Sequence, residues 1–187
     1  MNDFLPKGYK EPVETNYMKF ELGDNAFRVL ASAVVGWEYW TEERMEDGSM
    51  KKRPYRVKEE GSIPVEKVVE NKYGDLNISY FWAFPVYNVS AEKIQILEIT
   101  QKSIRKDMMG YISNPKWGDP KNYTFVVTKE KNGDKTEYRT IAEPKEELDQ
   151  SIVKKFKDMG IDMIVWMDGK DPFKKETEDT SDVEDIK

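Results

Sequence analysis

The sequence predicts a mainly β protein, and three features of the chain support this fold class. From residue 17 onwards, Met18, Phe20 and Leu22 alternate with more polar neighbours, which is the period of a half-buried strand. Residues 77–89 hold five aromatic rings, a composition typical of strands. Helical spacing is found in only two segments of a chain of 187 residues, a length that suits one domain.

The first hundred residues are predicted to form strands separated by turns. Gly23, Asp24 and Asn25 have the chemistry of a turn, since these residue types tolerate tight backbone geometry. Asp47-Gly48 indicates a second turn. The predicted strands are residues 17–22, 26–30, 34–40, 55–57, 77–89 and 94–100.

A helix is predicted over residues 101–112, where the period of the apolar residues changes. Ile104, Met108 and Ile112 recur at helical spacing, so they form one apolar stripe. Thr100 is the expected N-cap.

A hairpin and a second helix are predicted to follow. Residues 123–129 and 136–142 flank Asn132-Gly133, a dipeptide that favours a hairpin turn. Pro144 suits the first position of a helix that ends near Gly160.

This order places one helix between the third and fourth strands of a five-stranded Greek-key barrel, which is the layout of an OB-fold. Other all-β and α+β arrangements fit the same order of elements. In this interpretation residues 1–143 form the barrel with a loose N-terminal lead-in, residues 144–173 form a C-terminal helix and extension, and residues 174–187 form a disordered acidic tail.

Several classes of site are excluded by composition. The chain has no Cys and no His, so it has no disulfide, no thiol nucleophile and no Ser-His-Asp triad. We expect no catalytic residues, no cofactor and no metal. No apolar run approaches the ~20 residues that span a bilayer, and the N-terminus lacks a signal-peptide profile. These features predict a protein without membrane contact, located in the cytoplasm.

Charge is distributed unevenly along the chain. The net charge of -6 equals the charge of six acids near the C-terminus, and without them the remaining acids and bases balance. These acids are Glu176, Glu178, Asp179, Asp182, Glu184 and Asp185. Residues 51–58 hold five bases and no acid. The body is therefore neutral with basic patches, and the acidic pI comes from the tail.

Aromatic residues lie beside the basic patches, which is the combination that binds single-stranded nucleic acid. Cations neutralise phosphates, while rings stack on unpaired bases. We expect phosphate contacts from Lys51, Lys52, Arg53, Arg56 and Lys58, and stacking from Trp37, Trp40, Tyr55 and Trp82. The bases around the last hairpin would close the groove from its other side: Lys129, Lys131, Lys135 and Arg139.

Other interpretations of these residues remain open. Rings in strands most often belong to the core, and residues 51–58 could form a solvated loop. Glu98, Lys102 and Asp119 could take part in a carboxylate metal site, but such spacings arise by chance in a chain that is 35% charged. RNA is not excluded as a ligand. An acidic interaction module, or DNA mimic, directed at a host or replication protein is the alternative function.

Several motifs resemble a family of bacteriophage single-stranded DNA-binding proteins. They include residues 80–88, residues 94–104, Trp117-Gly118-Asp119-Pro120 and the segment 168–173 before the acidic tail. The opening motifs at residues 17–20 and 25–30 extend the resemblance over most of the chain. The resemblance implies an OB-fold, sequence-tolerant binding of single strands, and a role in phage DNA replication, recombination or repair. It also implies that the acidic tail competes for the DNA groove and contacts replication proteins such as a polymerase, helicase or primase.

Overall fold

The computed structural model describes residues 15–173, which form eight strands and three α-helices. The strands are β1 (Tyr17–Met18), β2 (Gly23–Val29), β3 (Val34–Arg44), β4 (Met50–Val57), β5 (Ile78–Asn88), β6 (Lys93–Ile99), β7 (Thr124–Asn132) and β8 (Lys135–Ala142). The helices are α1 (Lys102–Ile112), α2 (Gln150–Met159) and α3 (Met163–Met167).

Strand β5 is the centre of a mixed sheet. One of its edges pairs with β6, and its other edge pairs first with β3 and then with β2. Strands β2 and β3 are thus two parts of one bent ribbon, with the bend at residues 30–33. The outer edge of this ribbon pairs with β7 along β2 and with β4 along β3. The sheet is completed by β8 beside β7, and by β1 parallel to β6.

Two apolar clusters lie on opposite sides of β5, because successive side chains of a strand point to opposite faces. Phe84 and Val86 belong to the larger cluster, which helix α1 covers with Ile104 and Met108. Phe81 and Ala83 belong to the smaller cluster, which helix α3 covers with Trp166. The position of α3 therefore decides which side of β5 is hidden near its start.

The prediction of a mainly β protein is confirmed, and so is a helix between the strands β6 and β7. The predicted closed barrel of five strands is not what the described residues show, since they form an open sheet of eight strands. One edge of β6 pairs with β5, and its other edge pairs with β1 rather than with β8. These strand pairings leave the sheet open. The N-terminal lead-in and the predicted acidic tail fall largely or wholly outside the described residues.

The turn predicted at residues 23–25 is instead the beginning of β2. Gly23 has the left-handed φ of +91° that favours glycine, and it pairs with Lys129 of β7. The buried Asn25 amide donates to the carbonyl oxygens of Gly23 and Val127 at 2.9 and 3.1 Å. Pairing with a strand a hundred residues away outweighs the local turn preference here.

Strand and helix ends also differ from the predicted ones. The basic segment, apart from Lys58, lies within β4 and does not form a loop with a short strand. Its charges and Pro54 suit a sheet edge, where a missing N–H is tolerated and further pairing is discouraged.

The two long helices begin at other caps than predicted. Helix α1 has Gln101 rather than Thr100 at its N-cap. Helix α2 begins at Gln150, because the Asp149 carboxylate accepts a hydrogen bond from the Ser151 N–H, and Pro144 lies outside it. Its predicted end is confirmed, with Gly160 at φ +58°.

Candidate nucleic-acid interface

The β3–β5 ribbon carries the predicted rings on two different sides. Register partners in an antiparallel pair project to the same side, and β3 pairs Val35 with Trp82 and Trp37 with Tyr80. We call the side defined by Val35, Trp37, Tyr80 and Trp82 the open face. The opposite side, defined by Glu38, Trp40, Arg56, Phe81 and Ala83, is called the closed face.

Three half-buried rings form the open face. Trp37 and Tyr80 meet edge to face, with ring centroids 5.2 Å apart. The guanidinium carbon of Arg105, on helix α1, lies 4.9 Å from the Tyr80 ring centroid. Burial lowers the pKa of Arg105, and Tyr80 opposes this shift, yet an arginine stays protonated in proteins. The open face thus combines aromatic surface with a fixed positive charge.

A cavity of about 390 Å³ opens where the open face meets helix α1. Trp82 and Tyr80 form its aromatic walls, and Met108 and Ile112 of α1 are among its apolar lining residues. Residues 31–33, in the bend of the β2–β3 ribbon, form part of its border. The larger part of its lining is apolar, as in most ligand sites.

The same side of the sheet continues along the arm, which we define as residues 40–57. Tyr55 is 40% exposed and stacks on Tyr39, with centroids 5.8 Å apart and an angle of 21°. Its hydroxyl donates to the Glu43 carboxylate. Arg53 shares this side, with its Nε 3.5 Å from Glu43 Oε2. Lys51, opposite Glu43 in the register, is exposed on this side too.

The closed face holds an ion cluster instead of a free patch. Arg56 Nη2 lies 3.2 Å from Glu38 Oε2 and 3.0 Å from Glu98 Oε2. Its guanidinium carbon is also 3.9 Å from the ring centroid of Trp166, a cation–π distance. The Arg56 side chain is only 16% exposed. Its charge is therefore satisfied within the protein.

Glu38 has the most perturbed carboxyl of this cluster. Burial and the nearby Glu98 raise the pKa of Glu38 to about 7, against the opposing effect of Arg56. Glu38 also accepts a hydrogen bond of 3.0 Å from Trp40 Nε1. Two carboxylates that face one guanidinium compete for it, so the cluster holds a proton more readily than an isolated pair would.

The closed face is covered where β3, β4 and helix α3 approach one another closely. Its floor is Phe81, whose ring meets Trp166 at 5.6 Å and 78°. A β-carbon at Gly36 would lie 2.5 Å from the Val57 carbonyl oxygen and 3.3 Å from the Met167 methyl carbon. A larger side chain at position 36 would thus displace β4 or α3.

The predicted site residues therefore divide between the two sides. Trp37, Tyr55, Trp82, Lys51 and Arg53 share the side of the open face. Trp40 and Arg56 lie on the closed face. Trp40 donates to Glu38, whereas Arg56 is held by Glu38, Glu98 and the Trp166 ring of helix α3, so Arg56 is already paired within the protein. Lys52 is exposed on that same side of β4, and Lys58 is exposed just beyond the strand.

The hairpin cations lie far from the arm along the ribbon. Lys129 pairs with Gly23 at the start of β2, whereas Lys52 pairs with Glu42 near the end of β3. The Lys129 ammonium also donates to the Phe20 carbonyl oxygen at 2.6 Å. The other three, Lys131, Lys135 and Arg139, are exposed. These residues belong to the hairpin that pairs with β2, whereas Lys51 and Lys52 pair near the end of β3.

Sequence reasoning missed Tyr80 and Arg105 as members of the site. Tyr80 lies two residues before Trp82, so strand alternation alone places the two rings on one side. Arg105 precedes Met108 and Ile112 by three and seven residues, which predicts that it borders the same stripe of helix α1. Each spacing places its residue on the correct side of its own element, but the sequence does not show that this side of α1 packs beside this side of β5.

The other two acidic candidates, Glu98 and Asp119, make contacts that stabilise the fold. Glu98 binds Arg56, and the Asp119 carboxylate caps a turn at the Lys121 N–H, 2.9 Å away. Within residues 15–173 no three acidic residues are grouped so that they could hold a metal ion. The same residues include no helix that is long and apolar enough to cross a membrane. The predicted acidic residues of the tail lie outside the described residues.

Comparisons of the chain with protein-family models, with curated proteins and with solved structures found no match.

Proposed function

We propose that this protein is a non-catalytic, sequence-tolerant single-stranded DNA-binding protein of phage DNA replication, recombination or repair. The observation that carries the proposal is the open face, where Trp37, Tyr80 and Trp82 are half-buried on one side of the sheet and Arg105 lies over the Tyr80 ring. Lys51 and Arg53 extend this side along the arm.

Single strands are the ligand that this chemistry suits best. Stacking of an unpaired base on an aromatic side chain contributes ~1–3 kcal/mol and tolerates any sequence, because each base has a π-face. Duplex DNA keeps those faces covered by neighbouring bases. Cations along the same side attract the phosphate backbone and release its counterions, which makes binding salt-dependent.

The strand pairings support an OB-type arrangement as part of this proposal. The bent β2–β3 ribbon would be the first strand, with β5, β6, β7 and β8 as the second to fifth. Helix α1 then lies between the third and fourth strands, as in such barrels. The pair that closes such a barrel, β6 with β8, is not formed among residues 15–173, where β1 pairs with that edge of β6 over two residues. Strands β1 and β4 are additions to this plan.

Quenching of tryptophan fluorescence tests the proposal directly. The full chain is titrated with a dT oligomer at low and at moderate salt, with a duplex of equal length as the control. We expect quenching by the single strand alone, weakening steeply as salt increases. No response to the single strand at low salt would overturn the proposal.

The acidic tail is proposed to compete with DNA and to contact replication proteins. Its six acids could occupy cations that otherwise bind phosphates. Deletion of residues 174–187 should then increase affinity for the dT oligomer at low salt, with little effect at high salt. Fluorescence anisotropy of a labelled oligomer measures the change, and weaker binding by the truncated chain would contradict competition.

A further inference from the structure

The cavity at the base of the open face has the volume and the lining of a ligand site. Its volume of about 390 Å³ lies within the range of ~300–1,000 Å³ common for small-molecule sites. Trp82 and Tyr80 supply flat aromatic walls, while Val29, Val35 and Met108 supply apolar ones. Such a site suits a flat, mostly apolar group.

Positive charge borders the cavity. Arg105 of α1 has its guanidinium carbon 4.9 Å from the ring centroid of Tyr80, which is one of the cavity walls. The only acid in α1 is Asp107, and its carboxylate accepts a hydrogen bond of 3.1 Å from the Thr140 N–H of β8. The group that enters the cavity is therefore expected to be attached to an anion.

We propose that this cavity receives one unstacked nucleoside of the bound strand, with its base against Trp82 and Tyr80. Arg105 then holds a phosphate next to that nucleoside. This inference rests on the proposed function, because the ligand is part of the single strand that the open face binds. A nucleotide combines the three properties that the cavity and its border require: a flat ring, a size above that of a single side chain, and an adjacent negative charge.

Blocking the cavity tests the inference. Ala33 is exposed and lines the cavity, so Ala33→Trp fills it without replacing a core residue. Ser32→Phe obstructs it from the neighbouring exposed position. Ile164→Trp is the matched control, since Ile164 is 71% exposed on helix α3. Urea unfolding confirms that each variant is folded.

The probe is the shortest dT oligomer that binds with full affinity, together with a series in which one nucleotide at a time is abasic. For the unmodified protein we expect one position at which base removal lowers affinity about tenfold, as loss of one stacked base does. Ala33→Trp and Ser32→Phe should each lower affinity for the intact oligomer about tenfold. In both variants the abasic oligomer should bind as well as the intact one, as coupled changes do.

The outcomes separate this inference from the proposed function. If the unmodified protein does not bind dT, both are wrong. If it binds dT and the two blocking variants bind equally well, only the cavity inference is overturned, and another occupant must be sought. If they lose affinity but every abasic position costs them what it costs the unmodified protein, the substitutions obstruct the backbone path, and base insertion is again overturned.

Discussion

The open and closed faces of the β3–β5 ribbon both place an arginine beside an aromatic ring, but only the closed face pairs its arginine with carboxylates. On the closed face, Arg56 is held by Glu38 and Glu98 and stacks on a buried Trp166. On the open face, Arg105 lies over a half-buried Tyr80. An arginine beside a ring is thus a structural contact on one side of the sheet and an available cation on the other.

Residues that are close together in a strand do not necessarily belong to the same site. Trp37 and Trp40 are three residues apart, as are Arg53 and Arg56. An odd spacing puts two residues on opposite sides of a strand. Each pair is therefore divided, with one member available to a ligand and the other committed to the fold.

The greatest loss of stability is expected when Arg56 is removed from the ion cluster. Arg56→Ala leaves Glu38 and Glu98 facing each other without their cation, which should lower the free energy of unfolding by about 3 kcal/mol at pH 8. Urea unfolding measures the loss. The matched control is Lys52→Ala, an exposed residue on the same side of β4, which should change stability by less than ~0.5 kcal/mol. Equal effects of the two substitutions would contradict the role of Arg56 in the ion cluster, since both residues lie on the same side of β4.

The raised pKa of Glu38 predicts that the closed face is pH-sensitive. Its folded pKa of about 7 lies above the ordinary value of 4.5, so the folded state holds the proton more tightly. The resulting stability is present in full below pH 4.5 and is lost as the pH rises through 7. We expect a loss of about 2 kcal/mol over that range, allowing for partial solvent screening.

Glu38→Gln isolates this effect because it cannot titrate. The difference in unfolding free energy between the two proteins, measured by urea at several pH values from 5 to 8, should shift in favour of the variant as the pH rises. A constant difference over this range would show that Glu38 does not exchange its proton there.

The open face is tested by comparing two tryptophans of the same strand. Trp37→Leu should lower affinity for a dT oligomer about tenfold, the loss expected for one stacked base. Trp40→Leu should leave affinity nearly unchanged, because Trp40 lies on the closed face with its Nε1 donating to Glu38. Fluorescence anisotropy measures both. If Trp40→Leu is the more damaging to DNA binding, the assignment of the faces is reversed.

Much of the fold is predictable from local pattern. The aromatic run predicts β5, and the helical spacing of Ile104 and Met108 predicts α1 with its buried residues. Alternation also shows that Tyr80 and Trp82 lie opposite Phe81 and Ala83. These features depend only on the periods of strands and helices.

Which side of β5 is available could not be predicted, because it depends on distant parts of the chain. Trp166, which covers Phe81, lies in a short helix 85 positions along the chain. Glu98, which engages Arg56, belongs to β6. The basic run of residues 51–58 looks uniform in sequence, yet β-strand alternation and one carboxylate cluster divide its members between two environments.

The smallest expected effect concerns the exposed cations of the arm, where neighbouring lysines serve as each other's control. Lys51 shares the side of the open face and Lys52 does not. Lys51→Ala should reduce the slope of log affinity against log salt by about 0.7, as loss of one phosphate contact on a single strand does. Lys52→Ala should leave the slope unchanged. Arg53→Ala should reduce the slope less than Lys51→Ala does, since Glu43 already lies 3.5 Å from Arg53.

Each variant is titrated with dT and with a mixed-sequence oligomer. The change in slope should be the same for the two oligomers, because phosphate contacts carry no sequence information. An equal reduction for Lys51→Ala and Lys52→Ala would mean that the strand wraps around the edge of β4, and the open face would then extend over both sides of the arm.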